Sequence, residues 1–142
     1  MLQAEKRSGR WYSRKRGFAE ARKKAYSRDG DYCRVSGRLL VTRCDIQANS
    51  GRLLKKIEAW QRACDHIWPE RYVRRFIPGA NPHILENLLT VHPSIHAKKT
   101  AAEKYLYSGN WHSYKQALDV IGYPMELVSA AMQALQASVK KN

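Results

Sequence analysis

The chain has 142 residues, with 26 Lys and Arg against 12 Asp and Glu, which leaves a formal charge of +14 when His is neutral. A chain of that length is one domain-sized unit burying about two thirds of its extended surface, and 44% apolar residues exclude a disordered-tail composition. Such self-repulsion calls for a polyanionic partner, nucleic acid first and an anionic membrane surface second, with a solubilising basic face as the plain alternative.

Three cysteines, Cys33, Cys44 and Cys64, form an odd set with no close pair. That argues against a disulfide scaffold and for a reducing cytosol. The basic stretch from Met1 to Phe18 lacks the apolar run of a signal peptide, and no segment approaches a membrane span, so the expectation is a cytoplasmic protein.

Residues 1–17 read as a basic flexible arm with Trp11 and Tyr12 in its middle, able to lie along phosphates through Arg14, Lys15 and Arg16. From Phe18 to Arg28 the spacing predicts a helix. Phe18, Ala21, Ala25 and Tyr26 share one face, Arg22, Lys23 and Lys24 point elsewhere, and Asp29-Gly30 supplies a stop. Tyr32 to Thr42 predicts a short hairpin turning at Ser36-Gly37-Arg38. Beyond Asn49-Ser50-Gly51, the intervals of Leu53, Leu54, Ile57, Trp60 and Cys64 predict a helix, with a strand through Cys64-Asp65-His66-Ile67 as the alternative for its last residues.

After Pro69, Arg71, Arg74 and Arg75 interleave with Tyr72, Val73 and Phe76. This suits a loop or short helix with a cationic side for a backbone and an apolar side for anchorage. Asn87 to Val91 returns to the core. Pro93-Ser94 opens a helix running to about Tyr107, broken by Ser108-Gly109-Asn110. Two helices follow, from Trp111 or His112 to Ile121 and from Pro124 to about Val139, with apolar stripes that cover the core or a sister subunit.

Hydrolysis of a phosphodiester needs a hard cation, a base for water and compensation of charge on the leaving oxygen. Asp65 and His66 are of suitable types, but neighbours on a regular strand face opposite ways. They therefore cannot share one ion there, whereas split roles, Asp65 holding metal and His66 addressing water, suit that geometry.

The order Cys64-Asp65-His66-Ile67-Trp68-Pro69, then Glu86-Asn87-Leu88-Leu89-Thr90-Val91-His92-Pro93-Ser94-Ile95-His96-Ala97-Lys98-Lys99-Thr100, resembles the HNH endonucleases, which are built on a ββα-metal motif. Arg28 to Gly37 resembles that family's lead-in, and the match spans roughly Tyr26 to Thr100. The resemblance implies an α+β fold: a small β-hairpin plus helix core, with additional N-terminal and C-terminal helices. It divides the chain into the arm at 1–17, a nuclease core at 18–107 and a C-terminal helical extension at 108–142. It implies that Asp65 and His96 are metal ligands, that His66 is the general base, and that Asn87 braces the base-bearing loop. Thr100 stands where some members have a further His, which favours Mg²⁺ or Mn²⁺, with Zn²⁺, Ni²⁺ or Co²⁺ as other candidates.

Many relatives carry two Cys-x-x-Cys knuckles for structural zinc. Here Cys33 is matched with Ser36, and His92 with Ile95, so that four-ligand site is not expected. His83 and His112 read as incidental, and His92 as structural. The expected activity is metal-dependent hydrolysis of double-stranded DNA in a bacterial or phage-infected cell, by a monomer or a homodimer. Arg14, Lys15, Arg16, Arg22, Lys23, Lys24, Arg71, Arg74, Arg75, Lys98 and Lys99 are the expected backbone contacts. The rival is a nucleic-acid-binding protein that keeps the fold without cutting.

Overall fold

The computed structural model describes residues 17–40 and 62–139. Arg14, Lys15, Arg16, Cys44, Trp60 and the helix expected through Leu53 to Ile57 lie outside them.

A helix, α1, covers 17–29 and stops at Gly30, whose φ of 72° is in the left-handed region that a side chain disfavours. The face of Phe18, Ala21, Ala25 and Tyr26 turns inward, while Arg22, Lys23 and Lys24 are exposed. Next, Tyr32 and Leu39 meet in a single antiparallel bridge, closed by a bond from Cys33 N–H to Arg38 C=O at 2.8 Å. The expected hairpin is thus one bridge among the described residues.

The sheet lies elsewhere. Strand β1, Ala63–His66, pairs antiparallel with β2, Leu88–Val91, in the register Ala63 to Val91, Cys64 to Thr90, Asp65 to Leu89 and His66 to Leu88. Cys64 is therefore a strand residue. Between the strands come α2, Glu70–Phe76, and a turn of 3₁₀ helix at Leu85–Asn87. After β2 follow α3 (Pro93–Ala102), α4 (Lys104–Tyr107), α5 (Trp111–Ile121) and α6 (Met125–Ala137). The architecture is α+β, a small antiparallel pair packed between N-terminal and C-terminal helices.

All four residues of β2 are buried because both sheet faces are covered. Leu89 and Val91 join Leu106, Tyr114, Leu118, Val128, Ala131 and Leu135 in the main core, while on the opposite face the Thr90 hydroxyl reaches Ala25 C=O of α1 at 3.4 Å. Among the described residues, the outer edge of β2 is closed by side chains and one backbone N–H instead of a third strand. Asp29 accepts from Thr90 N–H at 2.9 Å, Arg28 donates to Leu88 C=O, and Arg34 N–H donates to Thr90 C=O at 2.9 Å. Burial would raise the Asp29 carboxyl, but hydrogen bonds from Arg28 and Thr90 outweigh it and hold the group below its usual range. The Arg28 guanidinium is committed to this edge.

His92 caps α3 by accepting Ser94 N–H at Nδ1, 3.1 Å away, and Pro93 takes the first turn, where its missing donor costs nothing. The C-terminal helices hold the β1 segment from behind. The Tyr114 hydroxyl donates to Ile67 C=O at 2.5 Å and the Trp68 indole N–H to Val128 C=O at 3.1 Å. Gly122 ends α5 at φ 116°. The left-handed turn there delivers Tyr123 into the core beside Asp65. Among the described residues no helix is long and apolar enough to cross a membrane.

Candidate active site

Asp65 and His66 occupy opposite faces of β1, as strand geometry requires. Asp65 points toward α3 and is fully buried. Its Oδ1 lies 3.1 Å from His96 Nδ1 and 3.1 Å from Lys99 Nζ, and its Oδ2 accepts from the Tyr123 hydroxyl at 2.7 Å. His96 and Lys99, one turn apart on α3, share that carboxylate. The hydrogen bond to Asp65 raises the His96 imidazole above its ordinary value against the opposing effect of burial. Burial, then the Asp65 charge, pushes the Tyr123 phenol far up, so it remains a neutral donor.

Asp65 Oδ1 and His96 Nδ1 are hydrogen-bonded at a spacing that two neighbouring ligands of a small divalent ion also take. Ligand atoms about 2.1 Å from an octahedral Mg²⁺ are about 3.0 Å apart along an edge, and the observed oxygen-to-nitrogen separation is 3.1 Å. The His96 side chain is 48% exposed, leaving room for water and substrate oxygens. Lys99 weakens the fit: its ammonium already supplies one positive charge to the same oxygen, which favours a loosely held ion over a tight one.

His66 faces α1 and the loop after α2. Its Nε2 is 2.9 Å from His83 Nδ1, and the Phe18 ring lies 4.9 Å from its own. His83 Nε2 is 3.7 Å from Glu70 Oε1, and Glu70 in turn holds Arg74 at 2.9 Å. Burial, followed by the neighbouring His83, lowers the His66 pKa to about 4, and burial lowers His83 as well. Both rings are neutral at pH 7. One donor atom each from His66, Glu70 and His83 lies within 4.8 Å of the others, so this half-buried trio can hold a metal ion.

Asn87 fixes the spacing of the two rings. Fully buried, it accepts Trp68 N–H at 2.9 Å and donates to Trp68 C=O at 3.0 Å and to Pro82 C=O at 2.9 Å. Trp68 is two residues after His66 and Pro82 is next to His83, so one amide ties both histidine-bearing segments together.

The cationic residues divide sharply. Arg22, Lys23, Lys24, Arg71, Arg74, Arg75 and Lys98 are exposed. Lys99 is only 1% exposed and bonded to Asp65 and Glu103, which removes it from the phosphate contacts expected from the sequence. Arg74 is engaged by Glu70, and the Arg71 guanidinium stands over the Tyr107 ring at 5.2 Å. A cleft of about 420 Å³, lined in part by Lys24, Asn81, His83 and Glu86, opens between α1 and the His83 loop.

Cys33 and Ser36 serve local structure. Cys33 Sγ accepts Ser36 N–H at 3.2 Å. Burial raises the Cys33 thiol pKa, but the Ser36 hydrogen bonds outweigh it and lower the value.

Comparison of the chain with protein-family models, curated proteins and solved structures gave no match. The antiparallel pair followed by α3, with flanking helices and the His/Glu/His cluster, is consistent with a ββα-metal-like fold. Of the residues expected from the sequence, Asp65 and His96 meet, Asn87 spans the loop, and His66 stands on the other face. Sequence reasoning missed His83, Glu70 and Tyr123. Only the Asn81-Pro82 turn before His83, whose N–H bonds Asn81 Oδ1 at 3.0 Å, hinted that this loop is held in place.

Proposed function

We propose that the chain is a metal-dependent DNA endonuclease of HNH type. The observation that carries this reading is the meeting of Asp65 Oδ1 and His96 Nδ1 at 3.1 Å across 31 residues of sequence. Those two residues would hold the divalent ion, Mg²⁺ or Mn²⁺. When bound, it would offset charge on the scissile phosphate and the departing oxygen.

His66 would act as general base. With Nε2–H donated to His83 Nδ1, the lone pair sits on His66 Nδ1, free to take a proton from water. The His83 Nε2–H would then face Glu70, so the positive charge that arises on His66 is shared with a carboxylate beyond it. Water oxygen bonds to phosphorus as the bond to the 3′ oxygen breaks. By family resemblance the products are a 5′ phosphate and a 3′ hydroxyl. Asn87 positions the base by holding its loop, and exposed Arg22, Lys23, Lys24, Arg71, Arg75 and Lys98, with Arg14, Lys15 and Arg16, supply attraction to double-stranded DNA.

A second reading, DNA binding without cleavage, is favoured by one observation: the Lys99 ammonium already offsets the Asp65 charge from within the fold. Plasmid incubated with Mg²⁺, Mn²⁺ or EDTA separates the two. The nuclease reading expects cleavage with either ion, none with EDTA, and a loss of at least a hundredfold in His66→Ala and Asp65→Asn. Duplex binding without cleavage under any ion would establish the rival.

A further inference from the structure

We propose that His66, Glu70 and His83 form a three-ligand site for a zinc-like ion, separate from the Asp65 and His96 pair. Its occupancy would place the ion at His66 Nε2 and leave the ring proton on Nδ1, the atom the nuclease reading uses as base.

Two imidazoles and one carboxylate are donors that zinc prefers, whereas Mg²⁺ favours sites richer in oxygen donors and keeps several of its waters. The spacing suits a small tetrahedral ion. Zinc held at about 2.0–2.1 Å by two nitrogens separates them by about 3.3 Å. The facing His66 and His83 nitrogens are 2.9 Å apart, so the rings need part by only a few tenths of an ångström. Glu70 completes the set from the first turn of α2, within the 4.8 Å span of the three donors. Three protein ligands leave a fourth position for solvent, the arrangement of an open zinc site.

The ligands are also held in advance. Asn87 ties both histidine segments, and Phe18 packs against both rings, at 4.9 Å from His66 and 5.4 Å from His83. Such support for the residues behind the ligands is what a metal site needs to keep its shape. Arg74 competes for Glu70, which weakens the site.

The binding itself is independent of the nuclease reading; only its consequence for catalysis rests on it. Co²⁺ titrated into the full chain should give the visible absorption of a four-coordinate cobalt centre at one ion per chain. Zn²⁺ should displace it, and excess Mg²⁺ should not. His66→Ala, His83→Ala and Glu70→Gln should each weaken Co²⁺ binding at least tenfold, while His96→Ala leaves it within twofold. Glu70→Gln is nearly isosteric and lies at a partly exposed position, so it keeps the test valid should a histidine variant unfold. Absence of the cobalt spectrum, or equal binding by wild type and Glu70→Gln, overturns the site; loss in His96→Ala in place of His83→Ala moves it to the Asp65 face and overturns it equally. Failure to cut plasmid with any ion would defeat the proposed function and leave the cobalt titration to decide this site on its own.

Discussion

Lys99 and Asp65 form a buried ion pair, Nζ to Oδ1 at 3.1 Å, directly beneath His96. Removing one partner of such a pair strands the other charge away from water, at a cost of about 3–5 kcal/mol. Lys99→Met is expected to lower the unfolding free energy by about 3 kcal/mol, and the Asp65→Asn, Lys99→Met double variant by clearly less than the sum of the singles. Urea unfolding of the four proteins gives the coupling. Where Lys99→Met stays folded, its affinity for Mg²⁺ should rise, because the carboxylate no longer has an internal cation.

Tyr123 supplies the other half of the Asp65 environment through its 2.7 Å hydrogen bond. Hydrogen bonds to a charged acceptor contribute about 1.5–3 kcal/mol, so Tyr123→Phe should cost about 2 kcal/mol in chemical denaturation. A change below about 0.5 kcal/mol would mean that Asp65 is not a buried carboxylate leaning on this phenol.

Replacing Asn87 with Ala leaves the N–H and C=O of Trp68 and the C=O of Pro82 without their partner. At about 1–3 kcal/mol for each buried orphan, the loss is expected to be at least about 3 kcal/mol. In Asn87→Asp the two carbonyls would face an acceptor, so rescue by Asp should fail. Nuclear magnetic resonance of the His66 and His83 rings, 2.9 Å apart in the native chain, should show that they no longer meet in either variant.

The positions of Asp65, His96 and Asn87 were legible because the Asp-His pair, the Asn and the later His fall in a spaced order that a local strand, turn and helix can bring together. Lys99 was misjudged, although Ile95, Lys99, Ala102 and Leu106 fall on one helical stripe, and that stripe is the buried face. A lysine on it needs an internal acid, and Asp65 is that acid. His83 was illegible for another reason: it sits 17 residues from its partner, in a loop whose return path depends on a single Asn amide. The sheet register was hidden because the four-residue strands are separated by a helix and a long loop, so no turn motif marked them as a pair.

Acid should destabilise the fold through the buried imidazoles. His66 titrates at about 4 in the folded chain, against about 6.5 when unfolded. Between those values the unfolded chain binds more protons, so stability is full above pH 6.5 and is lost as pH falls toward 4. The loss from His66 is at most about 3 kcal/mol. His83 and His92, also lowered by burial, act in the same direction. His96 is raised, so its contribution is complete below pH 6.5 and disappears only as pH rises through its folded value; it cannot mask the acid loss. Thermal unfolding from pH 7.5 to 4.5 should show a falling midpoint, flattened in His66→Asn. An equally steep fall in that variant would mean that His66 is solvated in the folded state.

Salt dependence distinguishes cations that face solvent from those used inside. Each phosphate neutralised contributes a slope of about −0.9 to log K against log salt concentration. Lys23 and Lys24 are exposed on α1, and Lys24 lines the cleft that reaches His83. The Lys23→Ala, Lys24→Ala double variant should therefore flatten the slope for a labelled duplex by up to about 2. Arg74→Ala should change it less, since Glu70 already holds that guanidinium, and Arg28→Ala should act on stability instead, since its guanidinium donates to Leu85 C=O and Leu88 C=O at the edge of β2. Fluorescence anisotropy across a series of salt concentrations measures all three slopes. A slope left unchanged by the double variant would place the duplex on the Arg71 and Arg75 side of the molecule, away from α1.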